Sequence, residues 1–252
     1  METGPGGAFH NMAMDEALAI SAMEGRGPVL RLYSWRGPSV SIGRFQCAGE
    51  VDAEYLGLKG IELVRRPTGG RGIFHGEELT YSLAAPASGP FAGGLREAYG
   101  AIASAFVLAL RALGLDARAD LRGGGRDRRR RSPLCFATTS YGEITVEGRK
   151  VIGSAQRRWR GGFLQQGSIP LAPQSPDARR AFPSAEDGDG GMPGLLSFLP
   201  GLSPAALKEA VRSAFEEALG AQIEEGRPTR GEEALARELL EKYRSPEWNF
   251  QR

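Results

Sequence analysis

RRPTGGRGIFHGEELTYS, residues 65–82, reads as the end of one strand, a glycine-rich loop and the start of another strand. Ile61–Arg66 supplies the first strand, and Leu79, Tyr81 and their neighbours supply the last. Between them Gly69, Gly70 and Gly72 free the backbone to wrap a ligand, and their N–H groups can hold an anion or a carbonyl oxygen. Arg65, Arg66 and Arg71 add positive charge. A tight surface turn with solvated arginines fits the same spacing, which does not separate the two. The GxxxxGK[ST] pattern of a Walker A loop is absent.

Upstream, Asn11 is placed to cap a helix carrying Met14, Ala17, Leu18 and Ala22 at helical spacing, with Gly25 and Gly27 ending it. Leu30/Leu32 and Val40/Ile42 alternate as two strands about a turn at Gly37-Pro38. Downstream, Ala98, Ile102, Ala105, Phe106, Ala109 and Leu113 mark one face of a helix over 95–113, stopped by Gly114. RGGGRDRRRR (122–131) is a basic, low-complexity loop. Ile144 and Val146 then alternate into a hairpin turned at Glu147-Gly148. A further strand lies in FLQQGSIPL (163–171), a long loop covers 173–194, and two helices close the chain. Ser203-Pro204 caps the first of these and Gly220 ends it. This order is not a regular βαβ alternation. It predicts an α+β fold, with a mixed or antiparallel central sheet flanked by helices. A single domain spans 1–252, with a helical segment at 203–252.

Composition narrows the function. A net charge of +2, from 32 basic and 30 acidic residues, does not suggest a dedicated nucleic-acid binder, because the charges nearly cancel. Two cysteines, Cys47 and Cys135, argue against a disulfide scaffold. No signal-peptide pattern or membrane-spanning apolar run occurs, so the expected location is the cytoplasm. His10 and His75 share no metal-ligand spacing with the cysteines.

Two further residues carry chemistry. Cys135, in SPLCF, follows Arg126 and Arg128–Arg131, and positive charge favours the thiolate; an inert buried thiol is the alternative. Lys150, in GRKVIGSAQ (148–156), stands beside the small residues Gly153, Ser154 and Ala155, where a site wall can lie close. A solvated turn lysine is the competing reading.

Taken together, NMAMDEA (11–17), PSVSIGRFQ (38–46), RRPTGGRGIFHGEELTYS, GRKVIGSAQ, LQQGSI (164–169) and KYRSPEW (242–248) resemble the lipoate–protein ligase and octanoyltransferase family, relatives of the biotin–protein ligases. The segments occur in family order across about the whole chain. The resemblance is closest to the cysteine-dependent octanoyltransferases, on the form of the PTGGR and GEELTYS segments, on FQ after IGR and on SPLCF before the hairpin. Gly76 stands where the family commonly has Asp, and Gln165-Gln166 where Gln-His or His-His is usual. The 122–131 insert looks peculiar to this chain, and the chain reads as too short to hold the accessory domain of many full-length ligases.

The resemblance implies a biotin/lipoate ligase-like catalytic domain. It implies transfer of octanoate from acyl carrier protein, through a Cys135 thioester, to a lysine of an apo lipoyl-domain protein such as the glycine cleavage H protein. Lys150 would hold the thioester carbonyl. Arg65, Arg66, Thr68, Gly69, Gly70, Arg71, His75, Gly153, Ser154, Ala155, Gln156 and Gly167 would bind substrate, with Val151, Ile152 and Phe163 as candidate contacts to the acyl chain. No cofactor, metal, nucleic acid or membrane is required, and the 122–131 arginines would attract acidic partners. The rivals are an ATP- and Mg-dependent lipoate ligase core, an amidotransferase between lipoyl proteins, and a non-catalytic binder of lipoyl domains or acyl carriers.

Overall fold

The computed structural model describes residues 1–121, 141–184 and 192–251. Seven strands form one sheet: β1 (Glu2–Gly6), β2 (Val29–Trp35), β6 (Glu78–Pro86), β10 (Gly162–Pro170), β9 (Arg149–Arg158), β8 (Ile144–Val146) and β7 (Ala117–Ala119), in that spatial order. β1 and β2 run parallel, and every other pairing is antiparallel. A second sheet holds β4 (Glu62–Arg65), β3 (Ser39–Ile42) and β5 (Ile73–His75) in the order β4-β3-β5. The fold is α+β, as the sequence predicts.

Strand alternation sorts the large sheet into two faces. On β6, Leu79, Tyr81, Leu83 and Ala85 enter the main core beneath α3 (Leu95–Ala112) and α5 (Pro204–Leu219). Thr80 and Ser82 face the other way, and Ser82 reaches Asp15 of α1 (Ala8–Ser21). α6 (Arg230–Arg244) packs along α1 and closes that side.

Local signals account for several boundaries. α3 ends where predicted, with Gly114 at φ 86° just beyond it. Glu147 and Gly148, at φ 50° and 74°, form the left-handed pair that a two-residue hairpin requires. Ser203 caps α5 by accepting from Ala206 N, and Gly220 closes it in the left-handed conformation.

Two predictions, the Asn11 cap and the uninterrupted loop 173–194, needed correction. Asn11 is no cap: α1 begins at Ala8, and Asn11 lies fully buried inside it, its amide nitrogen donating to Gly6 O and Ser34 O. The glycine-rich start forms β1, with Pro5 on the sheet edge, where a missing N–H is tolerated. The long loop 173–194 contains α4 (Asp177–Ala181). An unpredicted helix, α2 (Ala53–Lys59), is capped by Asp52 accepting from Tyr55 N at 2.8 Å. The basic loop 122–131 lies outside the described residues.

Candidate active site

A narrow cavity, with room for only about 20 Å³, is lined by strands of both sheets. α1 contributes Met12, β2 contributes Tyr33 and Trp35, and the small sheet and its loop contribute Ser41, Arg66, Ile73 and His75. Thr80, Gly153, Ser154, Ala155, Gln166, Gly167 and Ser168 complete it from the large sheet. Tyr81 braces the wall from behind, its hydroxyl 2.6 Å from Ser154 Oγ and accepting from Gln165 Nε2 at 2.9 Å. Burial pushes this phenol up to about 12, so it stays neutral. Only glycine fits at 167, where a Cβ would lie 2.2 Å from the Tyr81 ring.

The glycine loop is organised by its own arginines. Arg66 donates to Gly69 O at 3.1 and 2.7 Å, to Arg71 O at 2.7 Å, and to both Ser41 O and Ser41 Oγ at 3.2 Å. Arg65 is wholly buried and donates to the carbonyls of Gly43, Arg44, Gln46, Trp248 and Asn249. The short helix α7 (Pro246–Asn249) is thereby fastened to the loop, with Asn249 Oδ1 accepting from Arg65 N and Trp248 Nε1 donating to Arg65 O. Thr68 donates to Gln166 Oε1 at 2.8 Å, and Gln166 donates to Asp15 Oδ2 at 2.7 Å. These bonds hold the loop against the strand beneath it.

Gly70, at φ 86°, presses against Gly43, where a Cβ would sit 1.9 Å from Gly70 O. Gly43→Ala must therefore move backbone against backbone. It is expected to cost about 1–3 kcal/mol of stability and to slow the reaction at this cavity about 10²-fold by displacing the loop. Urea unfolding and the transfer rate check it, and an unchanged rate would show that the loop position does not matter.

Lys150 reaches its position through a β-bulge. Ile144 faces Ile152, yet Thr145 faces Lys150, so β9 carries one extra residue, Val151. Val151 and Ile152 consequently both enter the main core. Lys150 is turned to the opposite face of the strand, the face that carries Gly153 and Ala155 at the cavity. There it is buried and paired with the carboxylate of Glu143. Simple alternation would have sent it into the core with Ile152.

Of the sequence-predicted site residues, Arg66, His75, Gly153, Ser154, Ala155 and Gly167 line the cavity. Arg65, Thr68, Gly69, Gly70, Arg71 and Gln156 form its supporting frame, Gln156 through a 3.0 Å bond to Gln165. Lys150 lies on the cavity face of β9 outside the lining, and Cys135 lies outside the described residues. Val151, Ile152 and Phe163 are main-core residues and do not line the cavity. Sequence reasoning missed Ser41, Glu78, Glu143 and Asp15. The last two oppose Lys150 and Arg31, and a buried cation calls for such a partner.

The Lipoyl protein ligase A/B catalytic domain description matches residues 7–216. The chain belongs to this family. It is an acyltransferase. Octanoyltransferase LipM of Kyrpidia tusciae is 42% identical over 268 residues, covering 100% of this chain and 98% of that protein. The Staphylococcus aureus protein of the same name is 33% identical, with 100% and 98% coverage. Among solved structures, a lipoate-protein ligase A bound with ATP aligns with a TM-score of 0.82 at 29% identity, covering 99% of this chain and 96% of that one. A bi-partite lipoate protein ligase of Thermoplasma acidophilum aligns at 0.78 and 28%, with 99% and 94% coverage. The family's members thus share this α+β frame over nearly its full extent. Among the described residues, no helix is long and apolar enough to cross a membrane.

Proposed function

We propose that the protein moves an octanoyl group from acyl carrier protein to a lysine of an apo lipoyl-domain protein, such as the glycine cleavage H protein, by way of a Cys135 thioester. The observation that carries this reading is Lys150, re-aimed by the bulge onto the cavity face and held there by Glu143. Full-length relatives named octanoyltransferases supply the acyl group.

In the first step the Cys135 thiolate bonds to the thioester carbonyl carbon and the carrier's sulfur leaves. In the second, the target lysine's neutral amine attacks the enzyme thioester, the C–S bond breaks to regenerate the Cys135 thiolate, and the proton the amine loses in forming the amide balances the one taken up from solvent by the carrier's sulfur. Lys150 stabilises the negative oxygen that develops in both steps. The first step conserves the thioester's activation and the second spends it in forming the amide, so ATP and metal are not required, and a cytoplasmic location suits the free thiol.

The test is intact-mass analysis of the purified protein with octanoyl-acyl carrier protein and no ATP. A gain of one octanoyl group, absent in Cys135→Ala, is expected. No adduct, with acylation of a lipoyl domain only after ATP and free lipoate are added, would replace this reading with the ligase one. The ATP-bound structural relative is what favours that second reading.

A further inference from the structure

Ser41, His75 and Glu78 form a hydrogen-bonded line that the reaction above does not use. Ser39 faces His75 and Ser41 faces Ile73 across the β3–β5 ladder, which places Ser41 and His75 diagonally on one face. Ser41 Oγ is 2.7 Å from His75 Nε2, and His75 Nδ1 is 2.9 Å from Glu78 Oε1. All three side chains are buried, and Ser41 and His75 both line the cavity.

The protons in this line follow from its partners. Glu78 Oε1 also accepts from Trp35 Nε1 at 3.1 Å and from Thr80, and Oε2 accepts from Ser168 at 3.0 Å. Burial works to raise the Glu78 carboxyl, but His75 and these hydroxyl donors outweigh it and hold it below the usual range. The carboxylate, surrounded by donors, faces Nδ1; with the ring proton on Nδ1, Nε2 is placed to accept from Ser41. Trp35 stacks on the imidazole at 3.8 Å and 16°, fixing the ring plane. Arg66 Nη1 donates to Ser41 Oγ, so the hydroxyl hydrogen is left to point at the histidine. Nucleophile, base and orienting acid are recognised by such geometry, whatever the fold.

We propose that Ser41, His75 and Glu78 are a second, serine-based acyl-transfer centre that hydrolyses activated acyl esters and thioesters without Cys135. Ser41 Oγ bonds to the acyl carbon as its proton passes to His75 Nε2. The bond to the leaving sulfur or oxygen breaks, and that atom takes the proton from Nε2. Water then adds to the acyl-serine, again giving its proton to His75. The Ser41 ester bond breaks, Ser41 recovers the proton, and the free acid leaves. Arg66 is the cation nearest the charge that develops at Ser41.

The experiment uses the Cys135→Ala chain, so that its outcome is separate from that of the Cys135 thioester. The protein is treated with a short alkyl fluorophosphonate, weighed intact and mapped by peptide mass analysis; hydrolysis of p-nitrophenyl butyrate is followed in parallel. One phosphonyl group on Ser41 is expected, with ester hydrolysis that is lost in Ser41→Ala. His75→Gln, which keeps the hydroxyl, is expected to slow labelling about 10²–10⁴-fold. An unlabelled protein, or a label on any other residue, overturns the proposal. Mapping in the chain that retains Ser41 decides the matter even if Ser41→Ala fails to fold.

Discussion

Lys150→Met is expected to slow acyl transfer about 10²–10³-fold, the usual loss when one donor to a developing oxyanion is removed. It is also expected to destabilise the protein by about 3–5 kcal/mol, because it breaks the buried Lys150–Glu143 ion pair. Stability and activity then separate in the double variant. Lys150→Met with Glu143→Leu removes both charges and is expected to recover most of the lost stability, as apolar replacements of buried ion pairs do. It should recover none of the rate. Urea midpoints and single-turnover acylation of a lipoyl domain measure the two effects. A double variant that is both stable and active would show that Lys150 is a structural cation and that the carbonyl is held elsewhere.

Asp15→Ala is expected to be as damaging to stability, by about 3–5 kcal/mol. Asp15 is fully buried and accepts from Arg31 at 2.6 Å, Tyr33 at 2.9 Å, Ser82 at 2.6 Å and Gln166 at 2.7 Å. Without it the Arg31 guanidinium, itself 1% exposed, has lost its carboxylate. Asp15→Asn, which still offers one oxygen to Arg31, is expected to cost less. The damage should also reach the glycine loop, because Gln166 links Asp15 to Thr68. Acyl transfer is therefore expected to fall at temperatures where Asp15→Ala remains folded. Thermal unfolding compared with the rate well below the midpoint checks this, and a full rate there would show that Thr68 holds the loop without Gln166.

The elements legible in the sequence are those whose signals are local. α3 has a continuous apolar face and a glycine at its end. The β8–β9 hairpin has its Glu147-Gly148 turn, and α5 has Ser203, Pro204 and Gly220. Asn11 misled because its side chain serves a tertiary purpose, bonding β1 and β2, while a glycine occupies the cap. β1 was illegible because Gly4, Pro5 and Gly6 oppose strand formation, and only pairing with β2 creates it. The frame of the cavity and, of its polar lining, Arg66, His75 and Ser154 were read from family resemblance, whereas Ser41, Glu78 and Asp15 were not. Ser41, Glu78 and Asp15 belong to residue types that are mostly exposed, and only the assembled sheets show them buried. The bulge did leave a trace in Val151-Ile152: two adjacent apolar residues in a half-buried strand share one core only if the strand skips a step.

The fastening of Arg65 to Trp248 and Asn249 ties a loop near the start of the chain to residues 183 and 184 positions later. During synthesis, at roughly 5–20 residues per second, the nascent chain carries an unfinished glycine loop for roughly 10–40 s after Arg65 has been made. Until residue 249 leaves the ribosome, the Arg65 guanidinium has the carbonyls of Gly43, Arg44 and Gln46 but not those of Trp248 and Asn249. A chain released early would lack the fastening, so the order of translation itself makes the glycine loop among the last parts of the protein to mature.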